Sequence, residues 1–340
     1  MPAILSFGSA FPSRKVTNED IAKTMGRNPA VINRLMRTVG IEERHWVEQG
    51  KEATSDLSVK AVEQALKMSR IDKDRLKALW LATFSPNYLA VPVSPMVQDE
   101  LELSTSTRIC DISVACPGWI HALEISFTNM TSPYGNTGPQ AVVGAEVIST
   151  SLDPREEETY MLFGDAAGAV ITDIVDVDEG VVPVIAFVFG SDGSHAKDLY
   201  IPAGGSLEKT SEETVKAGKH SIHMKGKIVE EQAIRRMSES AVAVLKKAGV
   251  LLEDINLLIP HQANKKIILA TADTLGIPED KVFINIDHTA NTSSATIPVA
   301  LEEAFENGRL RRNDLVLYVS FGAGMNFAAA VITMVGLPKK

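Results

Sequence analysis

Cysteine is scarce in this chain: Cys110 and Cys116 are the only two among 340 residues. They lie six residues apart on one strand-and-turn segment, which hardly lets them bridge. No disulfide framework is implied, and a reducing, cytoplasmic setting fits. Basic residues are in deficit as well. The 34 Lys and Arg against 43 Asp and Glu leave a net charge of −9, which argues against a nucleic-acid partner. Long apolar runs are missing. Stretches such as Ala328 to Val335 are too short to span a bilayer, so no membrane association is expected. The N-terminus lacks a basic-then-apolar signal pattern. His220 and His223 have no further ligands near them, so no metal site is expected. What is plentiful is apolar side chain, 45% of the residues, enough core for one large domain or two ordinary ones.

The apolar pattern alternates between helix and strand periods. Ser55 to Met68 reads as an amphipathic helix, with Leu57, Ala61, Val62, Ala65 and Met68 on one side. Asn28 reads as the cap of a helix that starts with Pro29 and ends near Gly40. Strands are expected at Ala3–Ser6, Leu76–Thr83, Thr107–Val114, Ala141–Ser149 and Ala166–Asp173. The second half repeats the order. A helix at Val229–Ala248 leads to a strand at Ile255–Ile259, a helix at Lys265–Leu275 and a short strand at Val282–Ile286. A turn and helix at Asn291–Phe305 and strands at Leu315–Ser320 and Ala328–Val335 follow. Val188 to Gly226 is rich in Gly, Ser and Lys and reads as loop, with hairpin pieces at Asp198–Ile201 and His220–Met224. This alternation predicts an α/β fold with buried sheets. The likeness of the halves predicts a duplicated unit, residues 1–176 and 177–340.

Three side chains stand at strand ends or helix starts, where sites in α/β folds collect. Cys116 lies between a strand and a helix announced by Trp119, Leu123 and Phe127. A helix N-terminus lowers a thiol pKa and makes a thiolate available, although a free cysteine is as often a buried core residue. Cys110 reads as a core strand residue. His261 follows a buried strand and has a structural alternative. Asn291 precedes a helix and can be simply its cap.

With their neighbours these residues carry a resemblance. Val114-Ala115-Cys116-Pro117-Gly118, His261-Gln262-Ala263-Asn264 and Asn291-Thr292-Ser293-Ser294-Ala295-Thr296-Ile297-Pro298 resemble the catalytic motifs of the β-ketoacyl-acyl-carrier-protein synthase III family of the thiolase superfamily. Arg37-Thr38 with Gly40-Ile41, Phe163-Gly164-Asp165-Ala166-Ala167-Gly168-Ala169 and Phe321-Gly322-Ala323-Gly324 extend the likeness over nearly the whole chain. The resemblance implies a thiolase-like fold with two similar halves in α-β-α-β-α layers. It implies an acyltransferase in which Cys116 takes an acyl group from a thioester and then condenses it with malonyl-acyl-carrier-protein, as in the initiation of fatty-acid synthesis. His261 and Asn291 would stabilise the enolate. The backbone N–H groups of Cys116 and Ala323 would hold the oxyanion. Phe321 would crowd the departing carboxylate, and Val91 would floor the primer pocket across a homodimer. Lys265 and Lys266 would dock the acidic carrier protein, or are a solvated helix face. Coenzyme A or phosphopantetheine thioesters are substrates in this scheme, and no cofactor is called for.

The chain also departs from the pattern. The adenine-sandwiching tryptophan falls on Arg34 or Asn33 and the matching arginine on Glu157. Ala290 replaces a common glycine. These changes keep open a specialised relative that uses a longer or carrier-bound primer in a natural-product or cofactor pathway. A cysteine hydrolase and a non-catalytic partner subunit are the remaining alternatives.

Overall fold

The computed structural model describes residues 1–338. Nine strands form two sheets. They are β1 (Pro2–Ala10), β2 (Ala78–Ala82), β3 (Arg108–Ile112), β4 (Gln140–Glu146), β5 (Ala166–Ile174), β6 (Ile185–Ser191), β7 (Leu257–Pro260), β8 (Leu315–Gly322) and β9 (Asn326–Thr333). The first sheet has the order β1-β5-β4-β2-β3 and the second β7-β8-β9-β6. In the first, β1 and β5 and then β5 and β4 are antiparallel, whereas β4, β2 and β3 run parallel. The second repeats this: β6 and β9 and then β9 and β8 are antiparallel, and β8 and β7 parallel. Nothing in the second sheet matches β3, the strand that leads to Cys116.

Six longer helices place the layers: α1 (Pro29–Val39), α2 (Thr54–Ser69), α3 (Gly118–Thr131), α4 (Gly226–Ala248), α5 (Lys265–Leu275) and α6 (Thr296–Glu306). Helix α2 covers the outer face of the first sheet, and α4 that of the second. Helices α3 and α6 lie between the sheets. Their apolar sides, with Trp119, Leu123, Ile297 and Leu301, share one core with Trp80, Val142 and Val170 of one sheet and Ile259, Tyr318 and Ala330 of the other. Buried on both faces, β2 is apolar throughout, as a central parallel strand should be. These are the expected α-β-α-β-α layers.

Several elements depart from the sequence expectations. Strand β6 runs into the segment read as loop from Val188; Gly190 and Asp192-Gly193 weigh towards a turn, but β9 pairs with the whole of Ile185–Ser191. The hairpin pieces do pair, Tyr200 with His223 and Leu199 with Met224. The strand expected at Val282–Ile286 is a single bridge from Val282 to Leu258, and a helical turn begins at Ile286. Cys110 is exposed rather than in the core. Its strand, β3, is the sheet's edge in this chain, with β2 as its partner, so its alternate side chains face outward.

Candidate active site

Cys116 stands on the sharp connection from β3 to α3. Ala115 before it has φ +53°, a left-handed conformation that a non-glycine residue adopts at some cost and that clusters at functional turns. The end of β8 packs against this turn. A Cβ added to Gly322 would lie 2.8 Å from the Cys116 nitrogen and 3.0 Å from its Cβ, so only glycine permits the approach. Ala323 follows immediately, and the Asn326 amide donates to its carbonyl at 2.7 Å. These contacts bring the two residues of the expected oxyanion hole to one place.

His261 leaves the end of β7, its backbone N–H donating to Val319 at 2.8 Å. The ring is buried, and Nδ1 lies 2.7 Å from Thr296 Oγ1. Thr296 also donates to the Ser293 carbonyl at 2.8 Å. Burial lowers the His261 pKa to about 3, which keeps the ring neutral at ordinary pH. Asn291 is clamped by backbone: its N–H donates to Leu162 and its carbonyl accepts from Gly164, each at 3.0 Å. Its side-chain Oδ1 accepts from Ser293 N at 2.9 Å. The amide N–H₂ is thereby left for the cavity that Asn291 lines. This segment sits so low on the first sheet that a Cβ on Gly144 would come 2.3 Å from the Ser294 carbonyl oxygen.

Two cavities meet at Cys116. One, of about 390 Å³, is walled by Phe84, Val114, Phe163, Leu199, Ile201 and Ile222, with Cys116 and Ala323 also in its lining. The other, of about 810 Å³, is lined by His261, Asn291 and Phe321 among others. Three distant motifs thus converge on one sulfur, with an apolar chamber on one side and two hydrogen-bonding side chains on the other.

That convergence coincides with the matches to known proteins. Residues 110–193 match the family profile described as 3-oxoacyl-[acyl-carrier-protein (ACP)] synthase III, and residues 245–334 match its C-terminal counterpart. Two proteins called beta-ketoacyl-[acyl-carrier-protein] synthase III, from Symbiobacterium thermophilum and Clostridioides difficile, are 37% and 38% identical, each covering 97% of both chains. The chain belongs to the 3-oxoacyl-[acyl-carrier-protein] synthase III family. A crystal structure of the Aquifex aeolicus synthase III superposes with a TM-score of 0.86 at 32% identity, covering 98% of this chain and 100% of that one.

Other features of this synthase III family member differ from the sequence expectations. The Cys116 thiol is not lowered: burial pushes it up to about 12, the Ser293 hydroxyl opposes, and the Glu146 charge adds to the rise. The helix end is present, with Pro117 as N-cap, but desolvation of a buried thiolate outweighs it. Lys265 and Lys266 diverge. Lys266 lines the larger cavity and pairs with Glu230 at 2.5 Å, whereas Lys265 lies against Gly40 in a separate groove. Val91 is exposed beside Tyr88 and Leu89 and lines neither cavity of its own chain. Arg34 lines neither, but Leu35 and Glu157 reach the larger one. No role at the site was expected for Glu146, Ser293 or Thr296. The one available signal was a carboxylate inside the otherwise uncharged strand read at Ala141–Ser149, since lone buried carboxylates are rare.

Proposed function

We propose that this chain catalyses a decarboxylative Claisen condensation of an acyl thioester with malonyl-acyl-carrier-protein, giving a β-ketoacyl product as in the initiation of fatty-acid synthesis. The observation that carries the reading is the position of Cys116 at the junction of the two cavities. The Cys116 sulfur attacks the primer thioester, and the apolar chamber receives the acyl chain. The malonyl thioester then enters the larger cavity. Loss of CO₂ develops negative charge on its carbonyl oxygen, which the Asn291 amide and His261 Nε2–H stabilise. For His261 to donate from Nε2, Thr296 must turn its proton from the Ser293 carbonyl to Nδ1. The carbanion attacks acyl-Cys116, and the backbone N–H groups of Cys116 and Ala323 hold the oxyanion of each tetrahedral intermediate. Decarboxylation supplies the carbanion, so the reaction calls for no metal or redox cofactor. Phe321, beside these groups, favours departure of the carboxylate.

In this reading the enzyme is cytoplasmic, and its carrier protein docks near Lys266. The exposed edge of β3 and the apolar loop around Val91 support a homodimer in which that loop completes the partner's chamber. A specialised primer, long or carrier-bound, is favoured by one observation: Glu157, Glu158, Glu230 and Glu231 outnumber Lys227 and Lys266 around the larger cavity, an unwelcoming rim for the phosphates of coenzyme A.

Asn291→Ala tests the division of labour. Malonyl-dependent CO₂ release should fall roughly 100-fold or more, while acyl transfer to Cys116 persists. Equal loss of both steps would contradict it.

A further inference from the structure

Glu146 ends β4 and is fully buried. Among the described residues no lysine, arginine or histidine pairs with it. Its carboxylate accepts instead from Ser85 Oγ at 2.7 Å, Thr83 Oγ1 at 3.1 Å and Phe84 N at 3.2 Å on Oε2, and from Ser294 Oγ at 3.0 Å on Oε1. The remaining contact is the informative one. Ser293 Oγ lies 3.3 Å from Glu146 Oε1 and 3.5 Å from Cys116 Sγ. That hydroxyl has one proton and cannot donate to both neighbours at once. Ser293 is itself buried with φ +52°, a strained conformation of the kind retained where geometry serves chemistry.

We propose that Glu146 is the proton acceptor for Cys116, reached through the Ser293 hydroxyl. The inference rests on the reading of Cys116 as the nucleophile. As the sulfur attacks the acyl carbonyl carbon, the thiol proton passes to Ser293 Oγ and the Ser293 proton passes to the Glu146 carboxylate. The new C–S bond forms, the bond to the donor's sulfur breaks, and the departing thiolate takes the proton back along the same path. Glu146 ends ionised again, and no other reactant is needed.

The need for such a group follows from the burial of the thiol, which leaves little free thiolate near neutrality. His261 is poorly suited, because its ring is held as a neutral base of low proton affinity and reaches Ser293 only through Thr296 and a backbone carbonyl. Burial raises Glu146 to about 7, against which its hydroxyl and backbone donors act. A base poised near the working pH is the effective kind. The elements packed on Glu146 present Cys116 at the head of α3, Ser293 and Ser294 before α6, Thr83 to Ser85 after β2, and Ala166 of β5. The titratable groups among them are Cys116 and, next to Ala166, the buried Asp165, whose carboxylate is taken up by Val47, Ile148 and Ser149.

The test is the pH dependence of Cys116 alkylation by iodoacetamide, followed by intact mass in a Cys110→Ser background. Wild type should show a rise in rate with a midpoint near 7. Glu146→Gln should lose that limb and react at least tenfold more slowly at pH 8. Ser293→Ala should lose the same limb with Glu146 still in place, and the double variant should be no slower than either single one. A Glu146 acting only through its charge gives the opposite sign, since its removal lowers the thiol pKa and speeds alkylation. Unchanged or faster alkylation of Glu146→Gln would overturn the proposal. Should that variant not fold, a neutral limb surviving in Ser293→Ala would overturn it equally. Either result leaves Cys116 as nucleophile intact; that reading fails separately, if wild type forms no acyl adduct.

Discussion

Arg27 forms an ion pair with Glu157, which lines the larger cavity. The pair occupies the Arg27 guanidinium and leaves the Glu157 carboxylate in the wall of that cavity. Glu157→Gln frees Arg27 and removes one negative charge. Coenzyme A should bind this variant roughly two- to fivefold tighter at low ionic strength, the scale of exposed charge pairs. Neutral acyl-pantetheine should bind unchanged, and the gain should shrink with added salt. Calorimetric titration of both ligands checks this; an equal change for both would assign the effect to shape rather than charge.

Ala290 has φ +57° and ψ −166°, a region that is essentially glycine's own. It sits directly before Asn291 and is fully buried, so the strain is fixed by the clamp on Asn291. Ala290→Gly should stabilise the fold by about 1 kcal/mol and raise Tm by about 2 °C, as read by thermal unfolding. A lower Tm would mean that the Ala290 methyl contributes more through packing than its backbone costs.

The buried His261 couples stability to pH. Its pKa falls from 6.5 to about 3 through desolvation. The folded state therefore binds fewer protons than the unfolded one between those values. The contribution is fully present above pH 6.5 and is lost as pH falls towards 3, at about 1.4 kcal/mol per unit. Denaturant titrations of His261→Gln and wild type at pH 7.5 and 5.5 should show a smaller loss for the variant. Parallel losses would mean that His261 charges readily in the folded protein.

The helices and most strands were legible because one face, or both, is apolar over many residues. Lys265–Leu275 matches the observed helix at both ends, since Asn264 caps its start and Gly276 closes it. Ile185–Ser191 was not legible, because only Ala186 and Phe187 of its seven residues are buried and its end reads as a turn. Cys110 misled for a related reason: β-branched neighbours suggest a buried strand, but not that the strand is an edge. At the site, Cys116, His261 and Asn291 were readable as residues at strand ends or helix starts carrying a family's motifs. The state of the thiol was not, because it depends on how much protein closes over the turn. Glu146 and Ser293 are 147 residues apart, and nothing local to either announces the contact.

The most direct measurement is intact-protein mass after incubation with acyl-CoAs and acyl-carrier proteins of graded chain length, for wild type and Cys116→Ala. One acyl group should be retained by wild type and none by the variant. An adduct formed by longer or carrier-bound primers in preference to short acyl-CoA would fit the acidic rim. An adduct that persists in Cys116→Ala, or none with any donor, would contradict the assignment of Cys116 as the nucleophile.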